Sequence, residues 1–198
     1  MTPAAVLEFW FGADRAAALR DPARSCLWWR KNPTTDAGIR ARFATWVAAA
    51  LAGRLHPWAD EPDGLLALVL LTDQFTRNIH RDTPVAFAGD PLALAWCRQG
   101  IVRGDDKRLS AAERAFLYMP LEHSEILADQ DECVARFERL VGESAAVERG
   151  ALAGMLDYAR RHRAVIARFG RFPHRNAMLG RESNAEELEF LRTPGSRF

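Results

Sequence analysis

Hydrophobic residues recur every three or four positions along most of this chain, and no stretch alternates cleanly between apolar and polar residues. A spacing of three and four places side chains on one face of an α-helix, whereas alternation is typical of a half-buried strand. The clearest stripe consists of Ile39, Phe43, Trp46, Val47, Ala50 and Leu51. The pattern therefore predicts an all-α protein without a sheet.

Capping residues and prolines divide this pattern into seven to nine helices. Two segments, Ser110–Glu113 and Ser183–Glu186, have the sequence of a capping box. Asp90-Pro91 is typical of an N-cap followed by proline in the first helical position. One helix is expected from about residue 63 to 79 or 80. The helix that begins near residue 110 contains Pro120, where we predict a kink or a break.

The length and composition fit one domain, which we take to span residues 1–198. Hydrophobic residues make up 48% of the chain and charged residues 27%, the balance of a folded globular protein. Lys and Arg number 27 and Asp and Glu 26, so the net charge of +1 gives no overall attraction to nucleic acid or to a membrane. Periodicity leaves two architectures open, a helical bundle and an α-α superhelix.

The cysteines and the N-terminus favour the cytoplasm. Cys26, Cys97 and Cys133 are odd in number and far apart, which indicates reduced thiols rather than a disulfide framework. The N-terminus lacks a basic region and Glu8 interrupts its apolar stretch, which argues against a secretory signal. The longest aliphatic run, Leu65–Leu71, is far shorter than the ~20 residues that cross a bilayer.

The first candidate for chemistry is the polar end of the helix expected to end near residue 80. Its upstream half, Leu65–Leu71, is apolar on every face. The apolar run gives way to four polar residues, Asp73, Gln74, Arg77 and Asn78. Asp73 and Arg77 share a helical face. They form either a solvated ion pair or the wall of a cleft, where an arginine would suit a carboxylate or a phosphate.

A second candidate is a stripe of acidic residues. Tyr118, Glu122, Glu125 and Asp129 are spaced by four, three and four, so they share one face if the helix continues past Pro120. Three carboxylates on one face repel each other unless cations offset them. Four interpretations of this stripe stay open: it pairs with arginines, contacts a ligand, binds a divalent metal or is exposed to solvent. No HExxH or EF-hand spacing supports the metal.

The third candidate is a basic segment over residues 160–175. It contains six arginines and two histidines, Arg160, Arg161, Arg163, Arg168, Arg171, Arg175, His162 and His174. The segment either balances the charge of the acidic stripe, forms an anion pocket or contacts nucleic acid. The balanced net charge of the chain argues against nucleic acid. Pro173 stiffens a loop that presents His174, Arg175 and Asn176, as a ligand platform or as a helix connector.

Three sequence blocks carry a resemblance to a known family: LTDQFTRNI at 71–79, ERAFLYMP at 113–120 and RFGRFPHRN at 168–176. With shorter matches between and after them, these blocks span nearly the whole chain in order. The sequence resembles the bacterial uncharacterised family catalogued as Domain of Unknown Function 924. The resemblance implies an all-helical fold similar to tetratricopeptide-repeat-like superhelices. It brings no established activity, cofactor or catalytic residue.

We predict that the three candidates line one polar cleft that binds a small anionic molecule or an acidic peptide segment. The candidate ligand-binding residues are Asp73, Gln74, Arg77, Asn78, Tyr118, Glu122, Glu125, Arg171, His174, Arg175 and Asn176. The alternatives are a hydrolase or lyase, with Glu122 or Glu125 as general base and His174 as acid, and a structural protein-interaction module. No pattern assigns a catalytic residue, a metal, a cofactor or an oligomeric state.

Overall fold

A computed structural model describes residues 1–196 and confirms the all-α fold. Within this range the chain forms nine helices and no strand. They are α1 (Pro3–Phe11), α2 (Pro22–Trp29), α3 (Pro33–Leu51), α4 (from Pro62), α5 (Asp90–Arg103), α6 (Ala111–Glu122), α7 (Leu127–Glu143), α8 (Ala146–Phe169) and α9 (Ala185–Phe190). Short 3-10 turns connect several of them, including Pro84–Phe87, Asp105–Arg108 and Pro173–Arg175.

Helix α4 contains a wider turn where its composition changes from apolar to polar. It consists of three segments, α-helical Pro62–Val69, π-helical Leu70–Phe75 and α-helical Thr76–Ile79. The Thr76 hydroxyl donates to the carbonyl oxygen of Leu71, five residues back, at 2.8 Å. Single π-helical turns inside α-helices often occur at functional sites. This one contains Asp73.

The hydrophobic core is built around the first half of α4. Every residue of Leu65–Leu71 is at most 1% exposed, as its unbroken apolar sequence predicts. Trp10 of α1 packs its ring against Phe75 and Phe116, with ring centroids 5.3 and 5.5 Å apart. Helices α7 and α8 form a hairpin beside α6. The polar half of α4 is therefore held against a rigid apolar framework.

A glycine brings the start of α5 into contact with the π-helical turn. A Cβ atom on Gly89 would lie 1.9 Å from the carbonyl oxygen of Thr72, far inside van der Waals contact. Only a residue without a side chain allows this approach. The next residue, Asp90, is thereby placed beside α4.

Helix α6 ends too early for the predicted acidic stripe. It passes through Pro120 and ends at Glu122. The helix therefore stops two residues after the position where a kink or a break was expected. The prediction that Tyr118, Glu122, Glu125 and Asp129 share one helical face is therefore wrong. Glu125 lies in the connection to α7, and Asp129 belongs to α7 itself.

The capping residues predict three helix starts, one at the correct residue and two displaced by one residue. Ser110 and Glu113 exchange both hydrogen bonds of a capping box at the start of α6. The second box is displaced by one residue, because Asn184 is the N-cap of α9 and Glu187 its partner. Asp90 is not an N-cap but the first residue of α5, since its carboxylate binds a neighbouring arginine instead.

No helix within residues 1–196 is both long and apolar enough to cross a membrane. All three cysteines are free thiols, with Cys97 and Cys133 buried and Cys26 exposed. The single-domain span and the superhelical arrangement similar to tetratricopeptide-repeat folds stay predictions.

Candidate functional site

Five charged or titratable side chains from four parts of the chain meet beside the π-helical turn. We call this group, Asp73, Arg77, Asp90, His123 and Arg175, the Asp73 cluster. Asp73 is fully buried, and its Oδ1 accepts from Arg77 at 2.7 Å and lies 2.7 Å from Nδ1 of His123. Burial alone would raise the pKa of Asp73, but Arg77 and His123 lower it well below its usual range. Asp73 is therefore ionised at neutral pH.

The ionised Asp73 fixes the state of His123. A carboxylate only accepts hydrogen bonds, so Nδ1 of His123 must donate, which leaves a lone pair on Nε2. Burial and the charge of Arg77 lower the pKa of His123, so the ring is neutral at pH 7. The His123 side chain is 15% exposed and therefore reaches solvent. A carboxylate that orients a neutral imidazole is the arrangement of a general base.

Arg77 joins the two carboxylates of the cluster. Its Nη1 and Nη2 donate to Oδ1 and Oδ2 of Asp90 at 2.8 and 3.0 Å, a two-pronged pair, while Nη1 also contacts Asp73. The prediction of an Asp73–Arg77 pair is confirmed, but the pair is not solvated as the simplest interpretation had it. Side-chain exposure is 0% for Asp73 and 20% for Arg77.

Arg175 is held by aromatic rings more than by ion pairs. Its guanidinium lies 4.4 Å from the ring centroid of Phe172 and 4.8 Å from that of Phe87. Its one ion pair joins Nη1 to Oδ2 of Asp90 at 3.4 Å, an oxygen that Arg77 already occupies. Nε of Arg175 is buried and has no hydrogen-bond partner among residues 1–196. Burial and the charge of Arg77 lower the pKa of Arg175 to about 10, so it stays cationic at neutral pH.

Glu122 and His162 extend the cluster inward. Burial, and then repulsion from Asp73, raises the pKa of Glu122 to about 8, so this acid is protonated at neutral pH. Burial lowers the pKa of His162 to about 3, so its ring is neutral. Oε1 of Glu122 lies 3.3 Å from Nδ1 of His162, and the rings of His123 and His162 are 6.3 Å apart. The pairing therefore joins two neutral groups.

Glu125 holds the loop that contains Phe172. Its carboxylate accepts two hydrogen bonds from Arg181, at 2.6 and 2.9 Å, and one from the backbone N–H of Phe172 at 2.8 Å. Burial raises the pKa of Glu125, but these donors outweigh it and the net pKa is lowered. The oxygens of Glu125 therefore accept hydrogen bonds that hold the fold together, so the structure gives no reason to assign Glu125 the role of general base.

Arg171, His174 and Asn176 lie around the same loop with different surroundings. Arg171 donates to both oxygens of Glu187 at 2.6 and 2.8 Å. Asn176 is fully buried and donates to Ser183 at 2.9 Å. Burial and Arg175 lower the pKa of His174 to about 4, so this ring carries no acidic proton to donate at neutral pH.

Of three further predicted residues, one belongs to the Asp73 cluster and two lie elsewhere in the protein. Gln74 donates to Oδ2 of Asp73 and belongs to the cluster. Asn78 donates to Asp36 of α3 at 2.8 Å, away from the other candidates. Tyr118 donates to Asp106 at 2.7 Å and lines a different surface. The structure thus brings together Asp73, Gln74, Arg77, Glu122 and Arg175.

The basic segment does not act as one patch. Arg160 pairs with Glu138 of α7 and Arg168 with Glu186 of α9, both on the surface. Of the six arginines of this segment, Arg175, after the end of α8, is the one that pairs with a residue of the buried cluster. The arginines are spread around a helix and a loop, so each meets the acid that faces it.

Sequence patterns did not predict four residues of the site, Phe87, Asp90, His123 and Phe172, and they indicated His162 only as part of the basic segment. Asp90 was interpreted only as a cap, and His123 belongs to none of the three candidates. One signal was present for His123, since it is the histidine that closes α6 where that helix meets polar sequence. Nothing local indicates that it reaches Asp73, fifty residues earlier.

The arrangement offers groups for the recognition of anions and for proton transfer. Among the described residues no group of three or more His, Cys, Asp or Glu is placed to hold a metal ion. Two guanidinium groups and a neutral imidazole lie within one network, beside two aromatic rings. Such groups bind carboxylates or phosphates and exchange protons with them.

Comparisons with known proteins place the chain in a family without assigning it an activity. No curated protein matches the sequence. A solved structure of a protein of unknown function from Agrobacterium tumefaciens is similar, with 34% sequence identity, 96% of each chain covered and a TM-score of 0.81. Residues 6–195 match the family described as "Bacterial protein of unknown function (DUF924)". The chain therefore belongs to this bacterial family, as its sequence blocks predicted.

Proposed function

We propose that the protein binds a small anionic molecule, a carboxylate or a phosphate, at the Asp73 cluster. The observation that carries the proposal is the state of Arg175. Arg175 is 6% exposed and its guanidinium lies between two rings. Within residues 1–196 it has one long contact to a carboxylate, that of Asp90, which Arg77 already binds through two hydrogen bonds. A buried cation without full compensation is costly, and a bound anion would supply the missing partner.

The exposure of the cluster supports access from solvent. The side chains of Arg77 and Asp90 are each 20% exposed and that of His123 is 15% exposed, while Asp73 beneath them is sealed. An incoming anion would therefore meet guanidinium and imidazole edges first. The rings of Phe87 and Phe172 would exclude water around Arg175 and strengthen its attraction to charge.

The test compares thermal stability in different anions. At matched ionic strength, sodium phosphate or succinate should raise the Tm of the parent protein more than sodium chloride, because a ligand that binds only the folded state stabilises it. Arg175→Met should abolish that difference. Methionine keeps an unbranched apolar side chain between the two rings, and Asp90 keeps its two hydrogen bonds from Arg77, so the change leaves no carboxylate unpaired.

A matched control comes from the same basic segment. Arg168→Met removes an arginine whose side chain is 53% exposed and which pairs with Glu186 outside the cluster. This variant should keep the parent's response to phosphate and succinate. An equal Tm in all three salts, or an equal loss of response in both variants, would contradict the proposal.

A second candidate function, acid–base catalysis, is favoured by the 2.7 Å contact between Asp73 and His123. It revises the roles expected from sequence. His123, with a free lone pair on Nε2, would be the base, while Glu122 would retain its proton and serve as acid. Bound anions would be oriented by Arg77.

Hydrolysis of p-nitrophenyl carboxylate and phosphate esters tests this second candidate. Turnover should be lost in His123→Gln and kept in His174→Gln, which removes the histidine that the sequence had suggested. Absence of turnover in the parent, or turnover that His123→Gln leaves unchanged, would argue for binding alone.

A further inference from the structure

A second polar cavity lies on a part of the surface that shares no residue with the Asp73 cluster. Its volume is about 340 Å³, near the lower end of the range for small-molecule sites. Four cations and a tyrosine line it, Lys107, Arg114, Tyr118, Arg136 and Arg139, together with two carboxylates described below. We call it the basic groove. It is formed by the turn Asp105–Arg108 and helices α6 and α7.

Two of the four cations are already paired. Arg114 donates to Glu143 at 2.9 Å, and Arg136 donates to Glu132 through Nε and Nη2 at 2.9 and 2.7 Å. These pairs hold the two guanidinium groups in place at the wall of the groove. An arginine fixed in this way loses little further freedom when it contacts an anion.

The other two cations have no acidic partner. Lys107 and Arg139 are exposed, and neither forms an ion pair with any residue from 1 to 196. They come from the turn before α6 and from α7, so they approach the cavity from different elements. Their charges are therefore available to a ligand in the groove.

The floor of the groove is rigid. Tyr118 is 1% exposed and its hydroxyl donates to Asp106 at 2.7 Å. The guanidinium of Arg136 lies over the Tyr118 ring at 5.4 Å, and Nη1 of Arg136 is 3.7 Å from Asp106. Asp106 is thus occupied by the tyrosine and the arginine, so it opposes an incoming anion less than a free carboxylate would.

We propose that the basic groove binds a phosphate-bearing small molecule. Two unpaired cations on separate elements match the two negative charges of a phosphate dianion, whose oxygens can contact donors from several directions at once. The fixed guanidinium groups of Arg114 and Arg136 supply further donors to those oxygens. This site is separate from the proposed function and does not depend on it.

Inorganic pyrophosphate is the probe for this proposal, measured by isothermal titration calorimetry at constant ionic strength. The variant Lys107→Gln with Arg139→Gln removes the two unpaired charges, and both side chains are exposed, so the fold should be unaffected. We expect this double variant to weaken the affinity for pyrophosphate at least tenfold.

The matched control is the double variant Arg30→Gln with Arg54→Gln. Both arginines are exposed, form no ion pair within residues 1–196 and lie outside the groove. The control should bind pyrophosphate as the parent does. The proposal is overturned if the parent does not bind pyrophosphate, or if the two double variants weaken binding equally, since that result would reflect net charge alone.

Discussion

We expect the parent protein to lose stability between neutral and mildly alkaline pH, and Glu122→Gln should remove most of that loss. Burial, together with repulsion from Asp73, raises the pKa of Glu122 from its ordinary 4.5 to about 8. Between these two values the folded protein holds a proton that the unfolded chain has released. A group with a raised folded pKa stabilises fully below its unfolded pKa, and that contribution is lost as the pH rises toward the folded pKa.

The magnitude follows from the width of that interval. Each pH unit over which one extra proton is held changes the free energy of unfolding by about 1.4 kcal/mol, so the full interval corresponds to roughly 4–5 kcal/mol. Below pH 6.5 the buried histidines act in the opposite sense, because burial lowers the pKa of His162 from 6.5 to about 3, that of His174 to about 4, and also that of His123. The effect of Glu122 is therefore clearest from pH 6.5 to about 8, where it amounts to about 1.5–2 kcal/mol.

Urea denaturation at several pH values across that window measures the effect. Glutamine keeps the volume of Glu122 and cannot ionise, so the stability of the variant relative to the parent should rise by about 1.5–2 kcal/mol from pH 6.5 to 8. Glu186→Gln is the control, because that side chain is 60% exposed, and its difference from the parent should stay flat. A Glu122→Gln difference that does not change with pH would refute the reasoning, since Glu122 would then be ionised already at pH 6.5.

Three further substitutions test how the site is held together, each by urea denaturation. Asp73→Asn should cost about 3–5 kcal/mol, because it leaves the guanidinium of Arg77 without its buried partner, and a cost below about 1 kcal/mol would count against an ionised Asp73. Gly89→Ala should cost at least about 1–3 kcal/mol, because the new Cβ would lie 1.9 Å from the Thr72 carbonyl oxygen, and an unchanged midpoint would exclude that approach. Arg175→Ala should cost about 2–4 kcal/mol, because it leaves a gap between two rings, whereas Arg175→Met should cost under about 1.5 kcal/mol. Equal urea midpoints of these two variants would show that packing does not hold this residue in place.

Local patterns predicted the helices well, because helix formation depends on neighbours three and four residues apart. The Ser110–Glu113 capping box is such a case, and so is the Asp73–Arg77 pair. The same logic failed at Pro120. The acidic stripe required the helix to continue past that residue to Asp129, but it ends at Glu122, where Gln130 of the next helix donates to the Glu122 carbonyl oxygen at 2.6 Å.

The candidate site was predictable only in part, because its key contacts join distant segments. His123 meets Asp73 across 50 positions, and Arg175 meets Asp90 across 85. A period of 3.6 residues also hides the π-helical turn, which changes the direction of the side chains after Leu70. No property of His123 or Asp90 alone reveals these contacts, since they depend on how α4, α5 and α6 pack.

The arginines of one loop region provide the strongest argument that the Asp73 cluster is more than a structural network. Arg171 forms two short hydrogen bonds with Glu187, and Arg181 forms two with Glu125. Arg175 lies between them in sequence and is more buried than either, yet it has a single 3.4 Å contact. If ion pairs here served only the fold, the most buried cation would be expected to have the best partner, because its desolvation is the most costly. The reverse is observed, which supports the proposed binding of an anionic ligand at Arg175.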